Sequence, residues 1–395
     1  LHSYCCCVRL PAGEKMAHAK GKGKGKKGKG KGRGKSTPGA RKSQAPGEES
    51  VLEKGTVDAL LEQARNAGDP FLAVTLYQKV LQARPDDTSI MGEAADLMLH
   101  AGEPAAAKEV LARSILLGPE EGPDKYLYMA QLHEGREALG HYEKGLDLLR
   151  KQLADGGGAG GTKEAEAALR QRACMAYCSV AELFMTDLCF EEDAETRCQD
   201  ALDGSMKYDY GGPEPLNAVA NLRLSQSRPE EAAQSAEEAF RRLALCEPPP
   251  DHEFRVSLAK VLMECSSVNN SCSEKALQVL SGLMQEDDEN VELWYLMAVA
   301  FNSLQPPDCE SARAHLNTAA EMLSKIRTAQ EDMGEEFAFE DQVQLVQEQL
   351  EATALLESKD GCEKDQDTDM GEDSKPGTSK AADAVQEGPT EMDCA

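Results

Sequence analysis

The sequence predicts an all-α fold in which pairs of antiparallel helices stack into a solenoid. Apolar residues follow a helical period from Val51 to Leu356. Aromatic residues make up only 5% of the 395 residues, and Trp occurs once, as is normal for Ala- and Leu-rich helical repeats. The third observation is a pattern that recurs at an offset of 34: Gly68, Ala73, Tyr77, Val80 and Pro85 are followed by Gly102, Ala107, Leu111, Ser114 and Pro119.

This period, with a small residue, a large apolar residue and a closing proline, is the signature of the tetratricopeptide (TPR) repeat. Each unit is a helix pair, and stacked units form a curved solenoid with a concave surface. The sequence therefore predicts an all-α TPR solenoid of about seven helix pairs. Such a solenoid usually binds a segment of another protein.

The first two repeats are regular. The first pairs a helix at Thr56–Ala67 with one at Pro70–Ala83, and the second pairs Ser89–His100 with Pro104–Leu117. Proline is tolerated in the first turn of a helix, where its missing N–H would have no partner. Pro85 prevents the first unit from continuing.

The later repeats are less regular. A Gly-rich insertion at 156–161 and a polar loop at Ser266–Ser273 are longer than a plain repeat allows. A last amphipathic helix at Phe337–Leu356 is expected to cover the final apolar face, which solenoids require. The other predicted helices are a short one from Tyr126, one containing Ala138, Tyr142 and Gly145, Ala165–Leu188, Glu192–Leu202, Glu214–Gln226, Pro229–Ala244, Phe254–Cys265, Glu274–Met284, one from Val291, and Ser311–Thr328.

Charge is distributed unevenly along the chain. Residues 1–50 contain 13 Lys and Arg against 3 Asp and Glu, whereas residues 357–395 contain 4 against 12. Subtracting these tails from the whole-chain net charge of −27 leaves −29 on residues 51–356. A body this acidic repels nucleic acid and attracts a basic protein segment, and the attraction should weaken with salt.

Three domains follow from composition. Residues 1–50 are predicted to be a disordered Lys/Gly-rich tail, residues 51–356 the solenoid, and residues 357–395 a disordered acidic tail. Residues 1–15 precede Met16 and need not be native. The Lys/Gly tail is the one segment whose composition suits contact with nucleic acid. It is expected to act in nuclear or nucleolar targeting or in weak RNA contact, and the alternative is a solubilising role.

No catalytic site, cofactor site or metal site is predicted. The seven His are scattered, although His133 and His141 lie eight apart across a Gly turn that could bring them together. The 13 Cys include no CxxC pair, and we interpret them as small apolar residues in a reducing compartment. No apolar run reaches the roughly 18 residues that span a bilayer. We expect a monomer that is not an enzyme.

The candidate binding residues lie on the first helix of each pair, because these helices line the concave face of a TPR solenoid. Counting back from the closing proline at intervals of about one helical turn selects three kinds of side chain. Carboxylates can pair with Lys or Arg of a client, asparagines can hold its backbone by two hydrogen bonds, and one tyrosine accompanies them. The candidates are Asp58, Glu62, Asp96, Asn217, Asn221, Glu292, Tyr295 and Asn302.

Three segments of the later repeats resemble one family. They are Pro215–Ala232, Phe254–Glu264 and Glu286–Leu296. The chain is similar here to the TPR assembly chaperones dedicated to the large-subunit ribosomal protein "L-four", and the similarity extends over about 51–356. The resemblance implies a holdase without catalysis, which binds a long basic loop of the newly made ribosomal protein in the cytoplasm and releases it into the pre-ribosome in the nucleus.

Other functions stay open at the sequence level. A generic TPR scaffold or a heat-shock co-chaperone with another client is the first alternative, although Asp58 and Glu62 would repel the C-terminal carboxylate that such co-chaperones clamp. A nucleic-acid-associated protein led by the Lys/Gly tail is the second alternative, and an enzyme is the third.

Overall fold

The computed structural model describes residues 54–156 and 162–364. The predicted Lys/Gly tail, nearly all of the Gly-rich insertion and most of the acidic tail lie outside these ranges. The described residues form 15 α-helices and one short 3-10 helix. The α-helices are α1 (Lys54–Arg65), α2 (Pro70–Ala83), α3 (Thr88–His100), α4 (Pro104–Leu117), α5 (Asp124–Gln131), α6 (Gly135–Ala154), α7 (Lys163–Met185), α8 (Ala194–Lys207), α9 (Glu214–Ser225), α10 (Pro229–Leu243), α11 (His252–Glu264), α12 (Ser271–Glu286), α13 (Val291–Asn302), α14 (Cys309–Met333) and α15 (Glu340–Lys364).

Each odd-numbered helix from α1 to α13 packs against the helix that follows it, and each pair contacts the next pair. Helix α15 packs on α14 and α13 at the C-terminal end of the described array. The predicted all-α TPR fold, with seven helix pairs and a capping helix, is confirmed.

Aspartate side chains fix the start of several helices. Asp87 accepts a hydrogen bond from the backbone N–H of Ile90, and Asp251 accepts one from that of Phe254. Asp69 does the same for α2, whose first residue is the predicted Pro70. Each such cap satisfies an N–H that the helix leaves unpaired and contributes about 1 kcal/mol. The helix starts are therefore determined locally, which is why spacing alone could place them.

Small side chains let helices of neighbouring repeats approach closely. In α10, Ala232, Ala236 and Ala239 are fully buried at helical spacing. They pack in one core cluster with Leu258 and Leu262 of α11. Burying a leucine side chain contributes about 1.5–3 kcal/mol, so these inter-repeat layers supply most of the stability of the solenoid.

The polar loop predicted at Ser266–Ser273 is shorter than expected. The chain continues from α11 through a 3-10 turn at Cys265–Ser267, and α12 already begins at Ser271. The side chain of Asn269 accepts a hydrogen bond from the Ser271 N–H at 3.1 Å. These polar residues form the turn itself, because Asn and Ser side chains hydrogen-bond to nearby backbone. The capping helix also runs past its predicted end at Leu356, to Lys364.

Replacing Gly204 by alanine should destabilise the protein. A Cβ on Gly204 would lie 2.7 Å from Cε1 of Tyr177, too close for any real contact. The Tyr177 ring is stacked on Tyr208 with centroids 5.9 Å apart, so it cannot move away without losing that partner. We expect G204A to lower the free energy of unfolding by about 1–3 kcal/mol, measured by denaturant titration.

Gly282 provides the matched control. It lies inside α12, and a Cβ there would meet nothing within 4 Å. Because alanine is the better helix former, G282A should raise stability by about 0.5–1 kcal/mol. Equal effects of the two substitutions would contradict the close contact between α7 and α8.

Candidate binding surface

The first helices of the pairs (α1, α3, α5, α7, α9, α11 and α13) form a continuous face. Packing contacts join α3 to α5, α7 to α9, α9 to α11 and α11 to α13. Ion pairs join α1 to α3 and α5 to α7. We call the side chains that these helices direct away from their paired second helices the inner surface, which is the concave face in TPR architecture. On α7 it consists of Arg172, Met175, Ser179 and Glu182, which are spaced by three or four residues.

Polar contacts connect the first helices from one repeat to the next, and we call this set the ladder. Its rungs are Arg65 to Glu93 at 2.7 Å, Tyr128 to Asp96 at 2.7 Å, Arg172 to Asp124 at 2.9 Å, Asn217 to Ser257 at 3.1 Å, Lys260 to Glu292 at 2.8 Å, and Asn302 to Thr353 of α15 at 2.7 Å. Several ladder residues are among those predicted from their spacing to contact a client. It fixes the angle between neighbouring repeats, and with it the shape of the inner surface.

Four of the sequence-predicted binding residues belong to the ladder: Asp96, Asn217, Glu292 and Asn302. Burial, followed by the hydrogen bond to Asp96, raises the pKa of Tyr128 well above its usual value. Tyr128 therefore stays protonated and keeps donating to this carboxylate. These carboxylates and amides are already held by the protein, and their roles as client contacts stay predictions.

The other four predicted residues are placed differently. Asp58 and Glu62 are exposed on α1, where Asp58 pairs with Arg84 and Glu62 accepts a hydrogen bond from Asn66 at 3.1 Å. Asn221 is half-buried on α9, and Tyr295 is half-buried on α13. Burial raises the pKa of Tyr295, and the nearby Glu348 of α15 adds to the effect.

Two ladder asparagines keep an unused acceptor. Asn217 is only 5% exposed, and its Nδ2 donates to Ser257, but its Oδ1 has no hydrogen-bond partner. The Oδ1 of Asn302 is likewise buried without a partner. An unpaired buried acceptor costs about 1–3 kcal/mol, so each of these amides lowers the stability of the ladder in the free protein.

Three inner-surface carboxylates were missed by counting from the closing prolines: Glu182 on α7, and Glu253 and Glu264 on α11. Within residues 54–156 and 162–364, none of them has a hydrogen-bond or ion-pair partner. Glu182 is exposed to solvent, but partial burial still raises its pKa, with Glu253 and then Asp187 adding repulsion. Burial also raises the pKa of Glu264.

Glu182 and Glu253 lie close enough for their charges to repel, although they belong to repeats four and six and α9 separates their helices. The cations on the same first helices are already used, since Arg172 and Lys260 both pair in the ladder. The inner surface from α7 to α11 therefore offers negative charge with no partner of its own.

His133 and His141 do meet, with ring centroids 5.1 Å apart. The Nδ1 of His133 lies 2.8 Å from the backbone oxygen of Met129, and burial lowers the pKa of His141. Both observations fit a packing role for this pair. The part of the chain that the structure describes contains no group of three or more His, Cys, Asp or Glu arranged to hold a metal ion. None of its helices has the length and apolar content that crossing a membrane requires.

Comparison with known proteins agrees with this architecture. A family model described as "Tetratricopeptide repeat" matches residues 64–132. A protein of Schizosaccharomyces pombe named "Probable assembly chaperone of rpl4" is 34% identical over 49% of this chain and 56% of its own length. The match thus spans little more than half of that relative. A protein of Emericella nidulans with the same name is 28% identical over 66% of this chain and 71% of its own length.

A solved structure, "Assembly Chaperone of RpL4 (Acl4) (Residues 1-338)", is similar with a TM-score of 0.54 and 27% identity. The similarity covers 64% of this chain and 94% of the solved one. The resemblance predicted from Pro215–Ala232, Phe254–Glu264 and Glu286–Leu296 is therefore confirmed. The described residues have a TPR fold, and the chain is similar in sequence and structure to assembly chaperones of Rpl4.

Proposed function

We propose that this chain is a dedicated chaperone that binds a basic segment of a newly made ribosomal protein of the large subunit, the Rpl4 of its relatives, and escorts it to pre-ribosomes. The observation that carries the proposal is the similarity to a solved assembly chaperone over 94% of that chain. The role requires binding and release only, so the protein acts without catalysis. It works as a monomer in the cytoplasm and nucleus, where ribosomal proteins are made and assembled.

The charge of the inner surface supports a basic client. Ribosomal proteins are rich in Lys and Arg because they bind RNA phosphates, and before assembly an acidic surface can take the place of that RNA. Glu182, Glu253 and Glu264 have no partner within the described residues, so client cations can pair with them without breaking the ladder.

Affinity purification with mass spectrometry at low and high salt tests the proposal. We expect a large-subunit ribosomal protein to be captured at low salt and largely lost at high salt, because exposed charge pairs are screened. The binding must persist when residues 16–50 are deleted, which separates it from binding through the Lys/Gly tail. A set of captured proteins without a basic ribosomal protein would reject the proposed function. Capture of heat-shock proteins that is lost on adding their C-terminal peptide would favour a co-chaperone.

The affinity should also depend on pH. A raised pKa means that Glu182 and Glu264 take up protons at a higher pH than an ordinary glutamate does, and protonation removes the charge that attracts a cation. We expect affinity for the basic segment to fall on acidification before the usual Glu range is reached. Binding should release protons, which calorimetry in buffers of different ionisation enthalpy detects.

The double variant E182Q/E264Q is the control for this pH dependence. It should bind more weakly at neutral pH and lose the early acidic decline. An identical pH profile in the variant would show that other groups titrate.

A further inference from the structure

The N-terminal segment of this chain has the charge expected of a ligand for the inner surface. Between Lys20 and Lys35, Lys or Arg alternates with Gly, and residues 1–50 have 13 Lys and Arg against 3 Asp and Glu. The solenoid sequence, residues 51–356, has a net charge of −29 once both tails are subtracted from the total of −27. The C-terminal segment 357–395, with 12 acidic residues against 4 basic ones, has the wrong sign for the same surface.

The inner surface provides matching groups for a Lys/Gly peptide. Glu182, Glu253 and Glu264 have no partner within the described ranges, whereas the neighbouring Lys260 is already paired with Glu292. The second, independent observation is Asn217, a residue only 5% exposed whose Oδ1 is an acceptor without a partner. Glycines between the lysines let the peptide backbone approach closely, so its N–H groups pair with the carboxylates and become donors for this amide once the Asn217 side chain rotates toward the peptide.

The tract can reach this surface. Lys35 precedes the first residue of α1, Lys54, by 19 positions, so an extended chain spans up to about 60 Å between them at 3.3–3.6 Å per residue. Neighbouring packed helices lie about 8–10 Å apart, and the five steps from α1 to α11 along the first helices amount to about 50 Å. A chain of 19 residues has an r.m.s. end-to-end distance of about 25 Å. This is close to the roughly 30 Å of the three steps to α7, so the effective concentration of the tract is highest near α7 and falls toward α11.

We propose that the Lys/Gly tract 20–35 occupies the inner surface at α7 to α11 when no client is bound, and that the client displaces it. The tract is then an intramolecular competitor that pairs with the free carboxylates and lowers the affinity of every other basic segment for this surface by the same factor. This inference rests on the proposed function for the identity of the client, but the contact between the tract and the surface does not depend on it.

Zero-length carboxyl–amine cross-linking of the full chain, followed by mass spectrometry, tests the contact without any client. We expect cross-links from lysines of 20–35 to Glu182, Glu253 or Glu264, and their loss at high salt. Glu109 and Glu321 are exposed on the second helices α4 and α14 and are the matched control sites. Cross-links that are absent from α7 and α11, or equally frequent at Glu109 and Glu321, would overturn the proposal.

A second measurement tests the competition. In a variant of unchanged length, every Lys and Arg of 20–35 is replaced by Gln. If the tract occupies the surface about nine-tenths of the time, the variant should bind the basic ribosomal-protein segment about tenfold more tightly than the full chain. A synthetic peptide of residues 20–35, added in trans, should restore the weaker affinity. Unchanged affinity in the variant would show that the tract does not compete.

The two proposals fail in different ways. Specific cross-links without capture of a ribosomal protein would reject the proposed client while keeping the contact between the tract and the surface. Capture of the ribosomal protein without these cross-links would reject the competition and keep the proposed function.

Discussion

Replacing Glu182 and Glu253 together by lysine is expected to weaken binding of a basic client segment by about 30-fold at low salt. Each substitution removes an attraction and adds a repulsion. A charge pair at an exposed site contributes about 0.5 kcal/mol, and reversing the sign about doubles the change. Two reversals on one surface therefore cost about 2 kcal/mol, where 1.4 kcal/mol is tenfold in affinity. Fluorescence anisotropy with a labelled basic segment, repeated over a salt series, measures the effect.

Removing the charge of Glu182 should weaken client binding but stabilise the free protein. Burial and the neighbouring Glu253 and Asp187 raise the pKa of Glu182, so its ionised form is disfavoured in the folded protein relative to the unfolded chain. A carboxyl group with a raised folded pKa costs stability above that pKa and stops costing it as the pH falls through it. We therefore expect E182Q to stabilise the free protein at neutral pH by a few tenths of a kcal/mol, since solvent screens most of the effect.

The charge-matched control is the double variant of Glu109 and Glu321 to lysine. Both residues are exposed on second helices, away from the inner surface, and the net charge changes by the same amount. Its affinity for the basic segment should stay within about threefold of the unmodified protein, because only long-range attraction is altered. Equal losses in the two double variants would mean that overall charge, and not the inner surface, determines binding.

How far the sequence could predict this site depends on which interactions are local. Helix starts such as those at Asp87 and Asp251 depend on a few neighbouring residues, so spacing and helix-capping residues were enough to place the helix pairs. The ladder is not local. Whether Asp96 is available to a client depends on its hydrogen bond to Tyr128, and that bond depends on the angle between two repeats. Counting positions along one helix gives no information about the angle between two repeats.

The missed glutamates have a related explanation. Proline-based counting does not select Glu182, because α6 (Gly135–Ala154) and α7 (Lys163–Met185) are longer than the helices of the first two repeats and no closing proline gives a reference there. The spacing of Arg172, Met175, Ser179 and Glu182 on one helix face was the available signal. Their lack of partners is a property of the folded surface, which only the structure could give.

The second large effect is expected at the C-terminal end, where V346D should detach the capping helix. Val346 is 3% exposed and packs with Val291, Leu316 and Leu323 in one apolar cluster. A carboxylate in this cluster has no partner and would cost roughly 3 kcal/mol or more. Because repeats in a solenoid contact only their neighbours, the loss should remain near α13 to α15. Hydrogen-exchange mass spectrometry should show faster exchange there and unchanged protection in α1 to α4.

Leu355 is the matched control, since it lies on the same helix but is 64% exposed. L355D adds the same charge to α15 without placing it in the apolar cluster, so protection should hardly change. Uniform loss of protection along the whole chain in V346D would contradict the independence of the repeats, and no loss would contradict the packing of α15.

V346D also distinguishes two roles of the predicted residues on α13. Asn302 donates to Thr353 of α15 at 2.7 Å, and Glu348 of α15 contributes to the raised pKa of Tyr295. If Asn302 and Tyr295 act only in holding the capping helix, detaching it should leave client affinity unchanged at a temperature where α1 to α12 stay folded. If they bind the client, releasing them from α15 should change that affinity, and N302A should remove the change. Comparing V346D with V346D/N302A in the anisotropy measurement therefore decides whether the binding surface continues beneath the cap or ends at α11.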